Sequence, residues 1–165
     1  MSEVTEVNGL VVIWMGSKSD LPTAEKACAQ LKKLGVEYVV RVASAHKTPE
    51  KVLELAREYQ ARALKGEKIV FLAFVGLSNA LSGVLAGKTS IPIISCPTTS
   101  EDVFSSLRMP LGIAHGVVLN PENAGVYAAC VLACGDKALA KKILDYKKEL
   151  ADKVEEADSV LKKQK

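Results

Sequence analysis

His46 is one of only two histidines in this 165-residue chain, and it stands in Ser44-Ala45-His46-Lys47-Thr48-Pro49, beside a lysine at the expected mouth of a helix. A titratable group and an anion-binding corner therefore meet in one place. The valine-rich run 39–42 that precedes it reads as a buried parallel strand, while Thr48 has the character of a helix cap and Pro49 suits the first helical turn. His46 is thus expected on a strand-to-helix turn. In open α/β sheets such turns lie at the carboxyl edge, where ligands bind, so a histidine there is a candidate acid/base. The alternative is a surface histidine in an ordinary loop.

Two more strand ends carry small and polar residues of the right kinds: Gly16-Ser17-Lys18-Ser19-Asp20 and Gly76-Leu77-Ser78-Asn79. Glycine lets backbone come close to a ligand, and Ser17, Ser19 and the free amides of a helix start can donate to phosphate oxygens, with Lys47 as a cation. Asp20 would be repelled by phosphate and suits sugar hydroxyls better; its alternative role is an N-cap ahead of Pro22. Gly-Ser-Lys-Ser lacks the spacing and residue order of a P-loop, and no G-x-G-x-x-G follows the first strand. This pattern favours a phosphorylated small sugar or a mononucleotide over a dinucleotide. Two downstream segments, Ser78-Asn79-Ala80-Leu81-Ser82-Gly83 and Ser105-Ser106-Leu107-Arg108-Met109-Pro110, are weaker signals. Ser-Asn before an apolar run is commonly a helix cap, and a loop arginine is commonly solvated.

The elements that must position these residues follow from apolar, β-branched runs at 10–14, 38–42, 69–74, 91–95 and 117–119, separated by helical patterns or turns. That alternation makes a parallel sheet. Helices are expected over 22–34, stopping at Gly35, over 49–64, stopping near Gly66, from about Asn79, over 124–133, and from Lys137 onward, with a short turn around 105–109. The expected fold is α/β, a three-layer αβα arrangement around a flavodoxin-like five-stranded parallel sheet of order 2-1-3-4-5. In that order the first and third strands adjoin at the point where the winding reverses, and all three polar turns border one crevice. The last helix carries Ile143, Leu150, Val154, Ala157 and Leu161 as an apolar stripe on a charged rod. The stripe predicts that the rod, over 143–165, projects to a neighbouring subunit; the alternative is a helix folded back on its own domain.

With 48% hydrophobic and 5% aromatic residues, the chain suits one domain with a sizeable core. A formal charge of +3 could suggest nucleic acid, but acidic and basic residues interleave and aromatics are too few for base stacking. The polar, acidic Met1-Ser2-Glu3-Val4-Thr5-Glu6 is unlike a signal peptide, and no apolar run approaches the roughly 18 residues of a membrane span. A soluble cytoplasmic protein is expected, without nucleic-acid or membrane partners. Cys28, Cys96, Cys130 and Cys134 read as reduced core residues. Cys130 and Cys134 could share a helical face, yet neither histidine stands at a zinc-site spacing from them, so no metal is expected.

Taken together, Gly16-Ser17-Lys18-Ser19-Asp20, Ser44-Ala45-His46-Lys47-Thr48-Pro49, Ser78-Asn79-Ala80-Leu81-Ser82-Gly83, Ser95-Cys96-Pro97 and Ser105-Ser106-Leu107-Arg108-Met109-Pro110 resemble the phosphoribosylaminoimidazole carboxylases of purine biosynthesis. They span nearly the whole chain in that family's order. Its mutase branch typically has Arg after the histidine and Ala-Ala-His-Leu-Pro-Gly after the third strand. Lys47 and the 77–83 segment differ from that, and Ser-Leu-Arg-Met-Pro is typical of the carbon dioxide-dependent branch, which this chain resembles more. Leu77 departs from the arginine common before Ser78, and His115-Gly116 has no evident counterpart, which leaves His115 as a loop residue or an additional catalytic group.

The resemblance implies a carboxy-lyase that reversibly carboxylates aminoimidazole ribonucleotide with carbon dioxide and without a cofactor. His46 would move the ring proton, and Ser17, Asp20, Ser44, Lys47, Gly76 and Ser78 would hold phosphate and ribose. Asn79 is a further candidate, as a donor to the carboxylate. Relatives of this type are homo-oligomers, tetramers or octamers, with sites near subunit contacts. The rival readings are a mutase of the N-carboxylated nucleotide and, from another class, a non-catalytic phosphosugar-binding or signalling domain. The absence of an acidic pair after the first strand disfavours the signalling version.

Overall fold

The structure, a computed structural model, describes residues 9–162; the acidic stretch Met1-Ser2-Glu3-Val4-Thr5-Glu6 and the end of the C-terminal rod lie outside them. Five strands, β1 (Leu10–Met15), β2 (Glu37–Val42), β3 (Ile69–Val75), β4 (Ile93–Pro97) and β5 (Gly116–Val117), form one sheet of order β2-β1-β3-β4-β5. Every pairing is parallel, so this is the expected flavodoxin-like order. β1, β3 and β4 are buried along their whole length, which is why they read as unbroken apolar runs.

Alternate residues of β1 feed two separate cores. Val11, Ile13 and Met15 face α1 (Leu21–Leu34), α5 (Pro121–Ala133) and α6 (Lys137–Lys162), whereas Leu10, Val12 and Trp14 face α2 (Pro49–Leu64) and α3 (Leu81–Lys88). These are the three layers. On the second face Trp14, Tyr59 and Phe71 meet edge to face, with ring centroids 5.3 to 6.1 Å apart. On the first face Ala24, Ala27, Cys28, Leu31 and Leu34 line one side of α1, a helix that carries Pro22 in its opening turn and ends at Gly35. The helices on this face can approach closely because Gly125 of α5 has no side chain: a Cβ there would stand 2.8 Å from the Ala27 carbonyl oxygen.

Several expectations shift. The run 39–42 was expected to be buried, yet β2 is the edge strand and Val40 and Val42 are 38% and 42% exposed. A local valine pattern carries no information about whether a strand has neighbours on both sides. Cys134 is exposed rather than a core residue. The 105–109 turn is part of a short helix, α4 (Val103–Leu107), α3 begins at Leu81 rather than Asn79, and α5 begins at Pro121 because Asn120 caps it by accepting from the Asn123 amide at 2.7 Å.

The terminal helix divides into two parts. Leu139 and Ile143 are buried against the domain, Lys33 lies 4.4 Å above the Tyr146 ring, and its ammonium pairs with Glu149 at 3.0 Å. Beyond that point Leu150, Val154 and Leu161 are exposed, so the projecting portion starts later than residue 143. No helix among the described residues is long and apolar enough to cross a membrane.

The contact between α1 and α5 provides a test of the packing. Gly125→Ala would press a methyl into backbone rather than into a movable side chain, and should lower unfolding stability by about 1–3 kcal/mol in urea melts.

Candidate active site

The carboxyl ends of β1, β2, β3 and β4 open onto a cleft of about 600 Å³. Its walls include Gly16, Ser17, Ser19 and Asp20 after β1, Ser44, Ala45, His46 and Lys47 after β2, Val75, Gly76, Leu77 and Ser78 after β3, and Thr98, Thr99, Glu101 and Asp102 after β4. The winding reverses between β1 and β3, and the cleft sits there.

The loop after β1 is a 3-10 turn, Lys18–Asp20, capped by Ser17. Ser17 Oγ accepts from the Ser19 amide at 3.3 Å and from the Ser19 hydroxyl at 2.9 Å, which leaves its own proton free to donate to a ligand oxygen. Asp20 occupies the N-cap position of α1 without capping it; its carboxylate accepts from the Ser17 amide at 3.0 Å instead. Burial pushes the Asp20 pKa up, the Ser17 and Gly16 amides act against that shift, and the Asp102 charge adds to it.

The loop after β2 is tied to itself. Thr48 is the N-cap of α2 by position, but its hydroxyl accepts from the Ser44 amide at 2.9 Å and donates to the Ser44 carbonyl at 3.2 Å. Ser44 Oγ in turn accepts from the Lys47 amide at 3.2 Å. The backbone is thereby fixed while the His46 and Lys47 side chains stay exposed, without a hydrogen-bond or ion-pair partner among the described residues. Both imidazole nitrogens and the ammonium are available to a ligand.

Gly76 is the closest approach of the third loop to the fourth. A Cβ there would lie 2.8 Å from Thr98 Oγ1, 3.4 Å from Asp102 Oδ2 and 4.0 Å from Asp20 Oδ1. Two carboxylates thus converge on one glycine. Asp102, 8% exposed, accepts from Thr99 Oγ1 at 2.9 Å and from Thr98 Oγ1 at 3.5 Å. Leu77 follows in the left-handed region with φ 60°, its side chain 87% exposed at the cleft. Left-handed leucine is strained, so the surroundings must hold it. Ser105 Oγ does so from α4, lying 3.1 Å from the Leu77 carbonyl and accepting from the Asn79 amide at 3.0 Å.

Of the residues expected here from sequence, His46, Ser17, Asp20, Ser44, Lys47, Gly76 and Ser78 all line the cleft, and Asn79 does not. The Asn79 side chain is buried with internal partners. Its Nδ2 donates to Ser95 Oγ at 3.2 Å and to Ser106 Oγ at 2.9 Å, and its Oδ1 accepts from the Ser82 amide at 3.1 Å. Both amide protons are engaged, so none is free for a substrate carboxylate. The residues after β4 were missed, although the strand order alone places that loop beside β3. Among the described residues no three of His, Cys, Asp and Glu are grouped to hold a metal ion, and Cys130 and Cys134 do not form part of such a group.

Asp20 yields a prediction with a definite sign. A carboxyl whose folded pKa is raised destabilises the fold while it is ionised, and that cost disappears as the pH falls through the folded pKa toward the unfolded value of 3.8. Asn at this position keeps an oxygen for the Ser17 amide. Asp20→Asn should therefore melt at a higher temperature than the parent near pH 8, with the difference narrowing as the pH falls to 4, as thermal unfolding at the two pH values would show.

Comparison with known proteins gives the geometry a setting. The family model for AIR carboxylase matches residues 10–153. A Treponema denticola protein named phosphoribosylaminoimidazole carboxylase is 43% identical over 159 residues, covering 93% of this chain and 98% of the relative. One of the same name from Archaeoglobus fulgidus is 42% identical, covering 92% and 84%. A Methanocaldococcus jannaschii protein named N5-carboxyaminoimidazole ribonucleotide mutase is 40% identical, covering 93% and 98%. The crystal structure of Treponema denticola PurE superposes with a TM-score of 0.88 at 42% identity, over 93% of this chain and 99% of that one. A sheet of order β2-β1-β3-β4-β5 with His46 and Lys47 beside its winding reversal, and a family model that spans all five strands, make this chain a member of the AIR carboxylase family.

Proposed function

We propose that this protein is the carbon dioxide-dependent carboxylase of its family, converting 5-aminoimidazole ribonucleotide reversibly to the 4-carboxy nucleotide in purine biosynthesis. The single observation that carries the reading is His46, an imidazole with no protein partner among the described residues on a backbone locked by Ser44 and Thr48, at the lip of a cleft sized for a nucleotide. Support also comes from the two relatives named as carboxylases and from Lys47 and the 77–83 segment.

The aminoimidazole ring needs no cofactor for this chemistry. Its exocyclic amine pushes electron density onto the adjacent ring carbon, which attacks the carbon of carbon dioxide; a C–C bond forms and a C=O electron pair moves to oxygen to make the carboxylate. The ring carbon then carries both hydrogen and carboxylate. His46 removes the proton, the C–H electron pair returns to the ring, and aromaticity is restored. In reverse, protonated His46 returns the proton to that carbon and carbon dioxide leaves. Positioning falls to the three loops. Lys47 and the free Ser17 hydroxyl suit the phosphate, and Asp20, Ser44, Ser78 and the exposed backbone at Gly76 suit the ribose, a carboxylate being an acceptor for sugar hydroxyls.

The mutase is the second reading, favoured by the relative of that name at 40% identity. It uses the same histidine and the same phosphate site and differs only in how the carboxylate arrives.

Proton transfer of this kind is worth about 10²–10⁴-fold, so His46→Asn should bind nucleotide normally in calorimetry yet lose turnover by that factor. Near-normal turnover would remove His46 from the chemistry. Lys47→Ala should chiefly raise KM for the nucleotide, as expected of a group that binds ground and transition states alike; a pure loss of kcat at saturating substrate would speak against a phosphate contact.

As a cytoplasmic single-domain subunit of a homo-oligomer, tetramer or octamer, the chain would use the exposed Leu150, Val154 and Leu161 of α6 against a neighbour. Deleting 151–165 spares Glu149 and the docked half of the helix, and should lower the number of subunits found by light scattering.

A further inference from the structure

His115, the second histidine, takes no part in the mechanism above, yet it sits on the buried polar cluster behind the cleft. Its Nδ1 lies 2.5 Å from the hydroxyl of Ser95, a residue with no exposed surface. That hydroxyl is also 2.6 Å from Ser82 Oγ and accepts from the Asn79 amide at 3.2 Å. Asn79 cannot be turned around, because its oxygen accepts from the Ser82 amide.

The proton count is therefore constrained. Ser95 Oγ has one proton and two lone pairs, and Asn79 takes one lone pair. Of its two remaining neighbours, Ser82 and His115, one must donate to it and the other must accept from it. Neutral His115 satisfies this in either of its tautomers. Protonated His115 can donate to Ser95 as the neutral Nδ1–H tautomer does, so the contact itself does not depend on the charge of the ring, and Nε2 is sealed from solvent. Burial accordingly pushes the His115 pKa below its ordinary value, with the Ser106 backbone acting in the opposite sense. Among the described residues no carboxylate or cation acts on the ring: the groups that act on it are Ser95 Oγ and the Ser106 backbone, and Arg108 on the same loop is exposed.

We propose that His115 is a positioning residue of the cleft: it fixes Ser95, through Ser95 the Asn79 side chain, and through Asn79 the strained 76–78 turn that forms one wall of the site. Leu77 in the left-handed region is the reason such bracing is required, since a conformation of this kind persists only where its surroundings over-determine it. Asn79 is the link, because its amide and side chain are held from α3, β4 and α4 at once.

This inference rests on the carboxylase reading for its kinetic arm alone. In the full-length enzyme at pH 8, His115→Leu leaves Ser95 one partner short and should raise the nucleotide KM about tenfold with a smaller change in kcat, whereas His115→Asn, which keeps an N–H near the Nδ1 position, should restore the wild-type KM. With only two histidines, NMR can follow both rings. The backbone amides of Leu77, Ser78 and Asn79 should shift with the titration of the His115 ring in the wild type, and lose that step in His115→Asn. A lowered melting temperature with unchanged KM in His115→Leu, or amide shifts that persist unaltered in His115→Asn, would overturn the proposal. Should the wild type carboxylate nothing, the reaction assignment falls, while the amide titration in wild type and His115→Asn still decides the clamp.

Discussion

The parallel register of β1 between β2 and β3 is the constraint on which the site depends. Met15 stands opposite both Val42 and Phe74, so the chain leaves three strands at one level and three loops meet over one crevice. The register is enforced by burial on both faces. Val11, Ile13 and Met15 belong to one core and Leu10, Val12 and Trp14 to the other, and a slip of one residue would exchange the two sets. The placement of the three loops is therefore fixed by apolar packing.

Within that frame the cleft separates charges by element. The loops after β1 and β4 contribute carboxylates, Asp20 and Asp102, which converge on Gly76, and the loop after β2 contributes the cation Lys47 beside His46. On the proposed reading, that asymmetry would orient an anionic nucleotide, its phosphate toward Lys47 and its hydroxyls toward the acidic end. Gly16 and Gly76 line the cleft, and the lack of a side chain at Gly76 lets its loop approach Thr98. Behind the cleft the uncharged hydroxyls of Ser82, Ser95, Ser105 and Ser106 are joined through Asn79 and His115. They hold the shape of the wall against the strain at Leu77.

Much of this was legible in the amino-acid sequence, for identifiable reasons. Pro22 and Gly35 punctuate α1, the unbroken apolar runs of β1 and β3 announce strands buried on both faces, Gly16 and Gly76 fall directly after strands, and His46 falls in the loop after β2. What was misread depended on distant partners. The edge position of β2 is a property of the sheet, so its valines looked buried when two of them are partly exposed. Asn79 looked like a ligand donor because the groups that occupy it, Ser82, Ser95 and Ser106, lie 3, 16 and 27 residues away. His115 does lie in a loop, as one of its two readings had it, but its partner Ser95 stands 20 residues earlier and carries no local signal. Thr98 and Asp102 carry no local motif, and only the placement of β4 beside β3 brings them into the cleft.

Whether carbon dioxide itself is the substrate can be decided by the initial rate of carboxylation of purified aminoimidazole ribonucleotide, without ATP, after rapid pulses of dissolved carbon dioxide and, separately, of bicarbonate. The readings must precede hydration equilibrium and spontaneous carboxylation of the amine. A direct carboxylase built around His46 gives an immediate burst with carbon dioxide alone. A lag with both pulses, abolished by supplying the N-carboxylated nucleotide, would contradict that assignment and make the protein the mutase of its family.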